Sequence, residues 1–251
     1  MYRNEREHEI LKLLSAEGYL SVSQLSKTLY TSESSIRRDL TALEKQGLVT
    51  RSYGGAELTK NSSQIVPFSD RAHHNVSAKK IMARKAGHLA KDGSIVFLDQ
   101  SSSSFFVAYE LLKKKDITVV SNNLEIITLL SQYNIEVICS GGHISPGNRS
   151  CLTGSDAQHI FSQMHADLLF FSSKSLNFDG RIYDCSREEV CVRNAMLQNA
   201  EKKVFLCDLE KFGRYSGFQQ CSLSDVNFLI TENDTDGRID QIAGAREILL
   251  P

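Results

Sequence analysis

The chain has 251 residues, of which 41% are hydrophobic and 24% charged, and its formal net charge is −1. This composition excludes general disorder and allows one large domain or two unequal ones. No apolar run approaches the roughly 18 residues that would span a bilayer, and the charged start MYRNEREHEI lacks a secretory core, so a cytoplasmic protein with no membrane partner is expected.

The six cysteines, at 139, 151, 185, 191, 207 and 221, form no CxxC pair and no Cys/His cluster of zinc-binding spacing. They read as small apolar residues. The adjacent His73 and His74 stand in a polar stretch without a second cluster, so no metal and no cofactor is expected.

Three short apolar-periodic segments open the chain, each too short to be stable alone and therefore packed on its neighbours. The first carries Ile10, Leu13 and Leu14 and ends near Gly18. The second carries Val22, Leu25 and Leu29, with Ser21 and Gln24 spaced as a capping box. The third, SESSIRRDLTALEKQGL, has Ser32 as its N-cap and Gly47 as its stop. At about 100° per residue, Ile36, Leu40 and Leu43 share one face. Ser34, Arg37, Arg38, Thr41 and Lys45 share the opposite one, with Glu33, Asp39 and Glu44 on the flanks. Residues 1–57 hold eight Lys/Arg and eight Asp/Glu, so the arrangement of charge, not its sum, makes this stripe suit a nucleic-acid groove. Arginine can fork onto guanine while lysine and hydroxyls hold phosphates. The strand-like run Leu48 to Arg51 and the turn at Gly54–Gly55 add a short hairpin, giving a winged helix-turn-helix with Arg51 near backbone phosphates.

The run S-I-R-R-D-L-x-x-L-E followed by R-x-Y-G-G-A resembles the amino-terminal signature of the DeoR family of bacterial sugar-responsive transcription regulators. The resemblance implies DNA binding, and the expected contact residues are Ser32, Ser34, Ser35, Arg37, Arg38, Thr41, Lys45 and Arg51.

Residues 58–75 are polar, contain a proline and lack either period, which predicts a linker between a DNA-binding domain (1–57) and a larger domain (76–251). In the larger domain a helical KKIMARKAGHLA precedes six strand-like runs: SIVFLD, ITVVSNN, IEVICSGG, ADLLFFSS, KKVFLCD and VNFLIT. Their alternation with helical stretches predicts an α/β fold with a mostly parallel sheet. Ligands bind beyond the carboxyl ends of such strands, which here carry small hydroxyls, amides, glycines and a few charges. They are Asp99 with Ser101, Ser102, Ser103 and Ser104; Ser121, Asn122 and Asn123; Gly141 and Gly142; Lys174; and Asp208 with Lys211. The serine run opens the helical SFFVAYELLKK, whose free N–H groups favour an anion.

The same regulators resemble this half too, at the N-x-x-x-K segment of Asn75 and Lys79, at Asp99-x-Ser-Ser-Ser, Val120-Ser-Asn, Gly141–Gly142, the turn at Glu188–Glu189 and Asp208-x-x-Lys211-Phe-Gly. That likeness implies a sensor domain similar in fold to ribose-5-phosphate isomerase, with these loops, Glu188 included, around a phosphorylated sugar. The expected function is a repressor of a carbohydrate-utilisation operon, bound as a homo-oligomer to two half-sites of double-stranded operator DNA. The alternative is a sugar-phosphate isomerase-like enzyme with an appended DNA-binding module, using Asp99, Glu188, Asp208 or Lys211 as acid and base. A third reading makes the large domain an assembly surface only.

Overall fold

The computed structural model describes residues 3–45, 49–58, 66–245 and 248–250; Gly47 and Leu48, the expected stop of the third helix and the first residue of the wing, lie outside them. The N-terminal part consists of α1 (Arg3–Glu17), β1 (Tyr19–Ser21), α2 (Val22–Thr28), α3 (Glu33–Lys45), β2 (Val49–Ser52) and β3 (Gly55–Leu58). The capping box forms: the Ser21 hydroxyl accepts from Gln24 N–H at 3.2 Å and Gln24 Oε1 accepts from Ser21 N–H at 2.8 Å. Ser32 caps α3 by accepting from Ser35 N–H at 3.3 Å. Ile10, Leu14, Leu25, Ile36, Leu40, Leu43 and Val49 are buried together, each contributing about 1.5–3 kcal/mol over an exposed position.

The wing is larger than the hairpin read from the sequence, because β1 pairs with β3 to make a three-stranded antiparallel sheet in the order β1-β3-β2. Gly55 permits this pairing. A Cβ there would come within 2.4 Å of the Leu20 carbonyl oxygen and 2.5 Å of the Tyr19 hydroxyl, closer than atoms approach.

Asp39, read from the sequence as a flanking acid of α3, is buried instead. Arg6 of α1 forks onto it, Nε to Oδ2 at 2.6 Å and Nη2 to Oδ1 at 3.1 Å. The acid is thereby removed from the exposed face and α1 is locked to α3.

The larger part contains α4 (Phe68–His73), α5 (Val76–Gly87), β4 (Ile95–Leu98), α6 (Ser102–Leu111), β5 (Thr118–Ser121), α7 (Leu124–Leu130), β6 (Glu136–Cys139), β7 (His143–Ile144), β8 (Leu152–Thr153), α8 (Ser155–Gln163), β9 (Ala166–Phe171), β10 (Ser175–Leu176), β11 (Arg181–Asp184), α9 (Arg187–Gln198), β12 (Ala200–Leu206), β13 (Phe218–Ser222) and β14 (Phe228–Ile230). All six strands read from the sequence join one parallel sheet in the order β14-β12-β9-β4-β5-β6. Successive side chains of a strand point to opposite faces. In β9, Leu168 and Phe170 therefore join one core, with residues of α5, α6 and α7, while Leu169 and Phe171 join the other, with residues of α8 and α9. The antiparallel sheet β10-β11-β13 and the hairpin β7-β8 were not read from the sequence. Their strands are short and mixed in polarity.

The stretch 58–75, read as a linker, contains α4. Six residues are too few to show a helical period, and a helix that short is stabilised by tertiary packing. Phe68 supplies it, its ring edge-on to Phe105 with centroids 5.4 Å apart.

Arg6→Ala should lower the stability of the N-terminal part by about 3 kcal/mol, the low end for a buried pair deprived of one partner. Urea unfolding followed by circular dichroism measures it; a change below ~0.5 kcal/mol, the range of ordinary surface substitutions, would mean that the fork does not tie α1 to α3.

Candidate functional site

Sheet order fixes where a ligand can sit. The chain builds β4, β5 and β6 outwards to one side and then returns to place β9, β12 and β14 on the other, so the order reverses between β4 and β9. Such a reversal opens a crevice beyond the carboxyl ends of the two strands. A cavity of about 410 Å³ lies there. Its walls include Gln100, Ser101 and Ser102 after β4, Ser172, Ser173 and Lys174 after β9, and Asp208, Glu210, Lys211 and Arg214 after β12.

Beneath the cavity is a buried charge hub. Arg193 of α9 donates through Nε to Asp99 Oδ2 and through Nη1 to Asp184 Oδ2, each at 3.0 Å, and to Gln220 Oε1 at 2.6 Å. Asp99 also accepts from Ser101 N–H at 3.1 Å, the Ser104 hydroxyl at 2.6 Å and Ser172 N–H at 3.2 Å. Burial alone would lower the Arg193 pKa, but Asp184, Asp99 and Glu189 outweigh it and hold the guanidinium charged. Asp99 thus binds the ends of β4 and β9 and the start of α6 to α9, and lies under the cavity floor.

Glu189, the neighbour of Glu188, faces the cavity, accepting from Gln100 Nε2 at 2.8 Å and Asn148 Nδ2 at 3.0 Å. Burial, followed by the nearby Asp184, raises its pKa. Glu188 is exposed and accepts from the Ser186 hydroxyl at 3.2 Å. Lys211 donates to the Ser172 hydroxyl at 2.7 Å and stands 3.5 Å from Asp208.

The α4 segment closes one side of the mouth with Val66, Asp70, Arg71 and His74. Lys79, also in the wall, donates to the Arg71 carbonyl and, at 2.6 Å, to the His74 carbonyl. Burial and then the charge of Lys211 lower the Lys79 pKa to about 8. His74 Nε2 lies 2.7 Å from Glu210 Oε2, linking this segment to the loop after β12. Cys185 also lines the cavity and is held as a thiol, its pKa pushed up to about 12 by burial and by Asp184.

Of the residues expected around an effector, Ser101, Ser102, Lys174, Asp208 and Lys211 line this cavity. Ser103 and Ser104 are buried in the first turn of α6, and the Ser104 hydroxyl donates to Asp99 and to the Phe170 carbonyl. Ser121 ends β5, Asn122 and Asn123 follow it and Gly141 and Gly142 follow β6, all on the far side of the switch point, and they do not line the cavity. Ser121 and Asn122 instead brace the strand ends: the Ser121 hydroxyl donates to the Leu98 carbonyl at 2.8 Å, and Asn122 Nδ2 to the Leu152 carbonyl at 3.1 Å. Arg71, His74, Lys79, Asp184, Glu189, Arg193 and Arg214 were missed as cavity residues. Among them Lys79 and Glu189 carried a signal, as the lysine of the N-x-x-x-K segment and the second acid of the Glu188–Glu189 turn.

On the N-terminal part, Ser32, Ser34, Arg37, Arg38 and Arg51 are exposed, while Ser35 and Thr41 are half-buried; the side chain of Lys45 is outside the described set. Arg51 Nη1 donates to the Thr41 hydroxyl at 3.0 Å, which joins the wing to α3. Arg37 Nη2 meets Glu33 Oε2 at 2.9 Å, an exposed pair of a few tenths of a kcal/mol that a phosphate or base can displace. Tyr30, in the turn between α2 and α3, and Tyr53, in the turn between β2 and β3, are fully exposed at positive φ, 49° and 44°. Tyr53 is the tyrosine of the R-x-Y-G-G-A run, though no contact was assigned to it, and Tyr30 was not singled out from the sequence.

Comparison with known proteins decides the family. The DeoR-like helix-turn-helix domain matches residues 6–62 and the DeoR C terminal sensor domain matches residues 74–233. This chain belongs to the DeoR family of transcriptional regulators. It is 32% identical to the HTH-type transcriptional regulator GolR of Listeria innocua, over 93% of this chain and 92% of that one. It is 29% identical to the glycerol-3-phosphate regulon repressor of Escherichia coli K12, over 92% of each. Ribose 5 phosphate isomerase A from Neisseria gonorrhoeae is a distant structural neighbour, with TM-score 0.39 and 17% identity over 53% of this chain and 52% of that one. The family and these relatives are transcription regulators, and the isomerase alternative is not favoured.

Asp99→Ala should cost the sensor about 3–5 kcal/mol, because it leaves part of the buried Arg193 charge uncompensated, whereas Glu188→Ala should change stability by less than ~0.5 kcal/mol. Guanidinium unfolding curves compare the two; equal small effects would remove Asp99 from the hub.

Proposed function

We propose that this protein is a cytoplasmic repressor of a carbohydrate-utilisation operon. It binds double-stranded operator DNA as a homo-oligomer, and its affinity for DNA is set by a phosphorylated sugar in the cavity at the β4–β9 switch point. The observation that carries the sensor reading is the set of cavity cations: the Lys174 ammonium and the Arg214 guanidinium line the walls, and neither side chain makes a hydrogen bond or ion pair to a described residue. An anion satisfies them, and the start of α6 adds N–H donors. A repressor named for glycerol-3-phosphate among the relatives agrees with a phosphorylated ligand.

On the DNA side, Arg37 and Arg38 of α3 face the major groove, and Ser32, Ser34, Ser35, Thr41, Lys45 and Arg51 hold phosphates around it. Two copies are required because one α3 meets only one half-site. Arg37→Ala should cost ~1–3 kcal/mol of operator affinity and relax base preference, whereas Arg51→Ala should weaken all sequences alike and lower the salt slope by about 1. Gel-shift titrations at several salt concentrations separate the two. Undiminished operator binding in both variants would dismiss this face as the DNA surface.

Coupling between the sites runs through Phe178 at the tip of the β10–β11 hairpin. This side chain packs against the core of the large sheet and also against the core of the N-terminal part. Its ring also covers Gly213, where a Cβ would lie 2.3 Å from it, and Gly213 adjoins the cavity residue Arg214. The other cavity segment, Ser172 to Lys174, leads directly into β10. Phe178→Ala should keep both binding functions but bring the effector's influence on operator affinity, ordinarily a factor of about 5–150, towards one. Operator titrations with and without effector measure this; full responsiveness in the variant would place the coupling elsewhere.

A further inference from the structure

We infer that the sensor reads a hydroxyl group at the end of the sugar remote from its phosphate, through Gln100, Glu189 and Arg71, and so selects fully hydroxylated sugar phosphates over deoxysugar phosphates. The inference rests on the sensor reading above and narrows its ligand class.

Glu189 is held in the cavity wall by two amides. Gln100 Nε2 donates to one of its oxygens at 2.8 Å and Asn148 Nδ2 to the other at 3.0 Å. With the amide nitrogens turned to the carboxyl group, the amide oxygens, Gln100 Oε1 and Asn148 Oδ1, are buried with no partner among the described residues. Arg71 adds an unsatisfied donor. Its Nε donates to the Val66 carbonyl at 3.0 Å and its guanidinium lies over the Phe68 ring, 5.6 Å from the centroid, but its Nη2 is buried without a described partner. Gln100, Glu189 and Arg71 all line the cavity, and the Arg71 charge acts on Glu189. A buried polar atom left unpaired is destabilising, so this part of the wall is completed by a group that both donates and accepts.

A hydroxyl is such a group. With one donor and two acceptor lone pairs, it donates to Gln100 Oε1 or Glu189 and accepts from Arg71 Nη2. An anion would oppose Glu189 and the amide oxygen, an ammonium would oppose Arg71, and a methylene would leave both sides unpaired.

Depth selects which hydroxyl is read. Gln100 and Glu189 are 1% and 5% exposed, whereas Lys174, Lys211 and Arg214 are half-buried. A phosphate among those cations leaves the opposite end of the sugar to enter the deeper part. In a sugar phosphorylated at the chain terminus, that end is the anomeric carbon and its neighbour.

Calorimetric titration of the full chain tests this, with terminally phosphorylated glucose, ribose and fructose, with inorganic phosphate, and with the deoxyglucose and deoxyribose phosphates that lack the hydroxyl next to the anomeric carbon. The tightest of the three hydroxylated sugar phosphates should bind about tenfold or more tighter than either deoxy form and than inorganic phosphate, because a site built to bond a hydroxyl rejects an analogue without it. In Gln100→Met and Glu189→Gln, each checked for folding by circular dichroism, the ratio of sugar phosphate to inorganic phosphate affinity should fall by about tenfold. A deoxy form that binds as tightly as the best hydroxylated sugar, or a ratio unchanged in both variants, overturns the hydroxyl subsite. If no phosphorylated compound binds, inorganic phosphate included, the sensor reading itself falls and this inference with it.

Discussion

The sensor half depends on one buried guanidinium. Arg193 is fully buried, which is among the most costly placements available to a side chain, and the structure offsets it with two carboxylates, Asp99 and Asp184, and the Gln220 carbonyl. Those partners come from β4, β11 and β13. A single side chain on α9 therefore fixes the ends of the parallel sheet relative to the small antiparallel sheet, and the cavity is the space that remains above it. A hydrophobic core would hold the strands as well but would not set where their polar ends point. The hub does so, because each of its bonds has a direction.

The N-terminal part uses the same device to a different end. The Arg6–Asp39 fork joins two helices, but its main consequence is electrostatic. The stripe formed by Arg37, Arg38 and Arg51 would otherwise have an uncompensated acid in its own helix. With Asp39 turned inward and neutralised, the acid paired to the stripe among the described residues is Glu33, through an exposed contact that costs little to break. Neutral composition and a cationic face are thus compatible.

Local information in the chain was enough for the helices of the N-terminal part, the Ser21–Gln24 box and all six parallel strands, since each depends on residues close in sequence. The cavity depended on strand order, which no local pattern contains. Polar residues follow every one of five strands, and apart from the serine run nothing ranked them; of these strand ends only those after β4, β9 and β12 surround the cavity, because β5 and β6 were laid down on the other side of β4. The same limit explains Glu188 and Glu189: adjacent residues of one helical turn, of which only the fold decides the one that points inward. Arg193 lay within a helical run with no motif around it, and α4 was too short to show a period.

The loops that carry the cavity's charges are also the ones connected to the rest of the molecule. Lys79 holds the carbonyls at the end of α4, and His74 of that segment reaches Glu210 beside Lys211. Residues Ser172 to Lys174 run into the hairpin whose tip, Phe178, touches the DNA-binding part. An anion among these cations competes directly for donors that now hold α4 and the hairpin base. To reverse a strongly biased two-state equilibrium a ligand must prefer one state by about 5.5 kcal/mol. Charge-assisted hydrogen bonds from Lys174 and Arg214 to one phosphate, at roughly 1.5–3 kcal/mol each, are of the size required if the ligand makes them in only one state. A ligand touching the α6 end alone would make the same contacts whether or not the loops after β9 and β12 had moved, and so would bind without switching. Under the proposed function, Lys174 and Arg214 are the residues able to distinguish the states, because they lie on the segments that lead to Phe178 and to Gly213 beneath its ring.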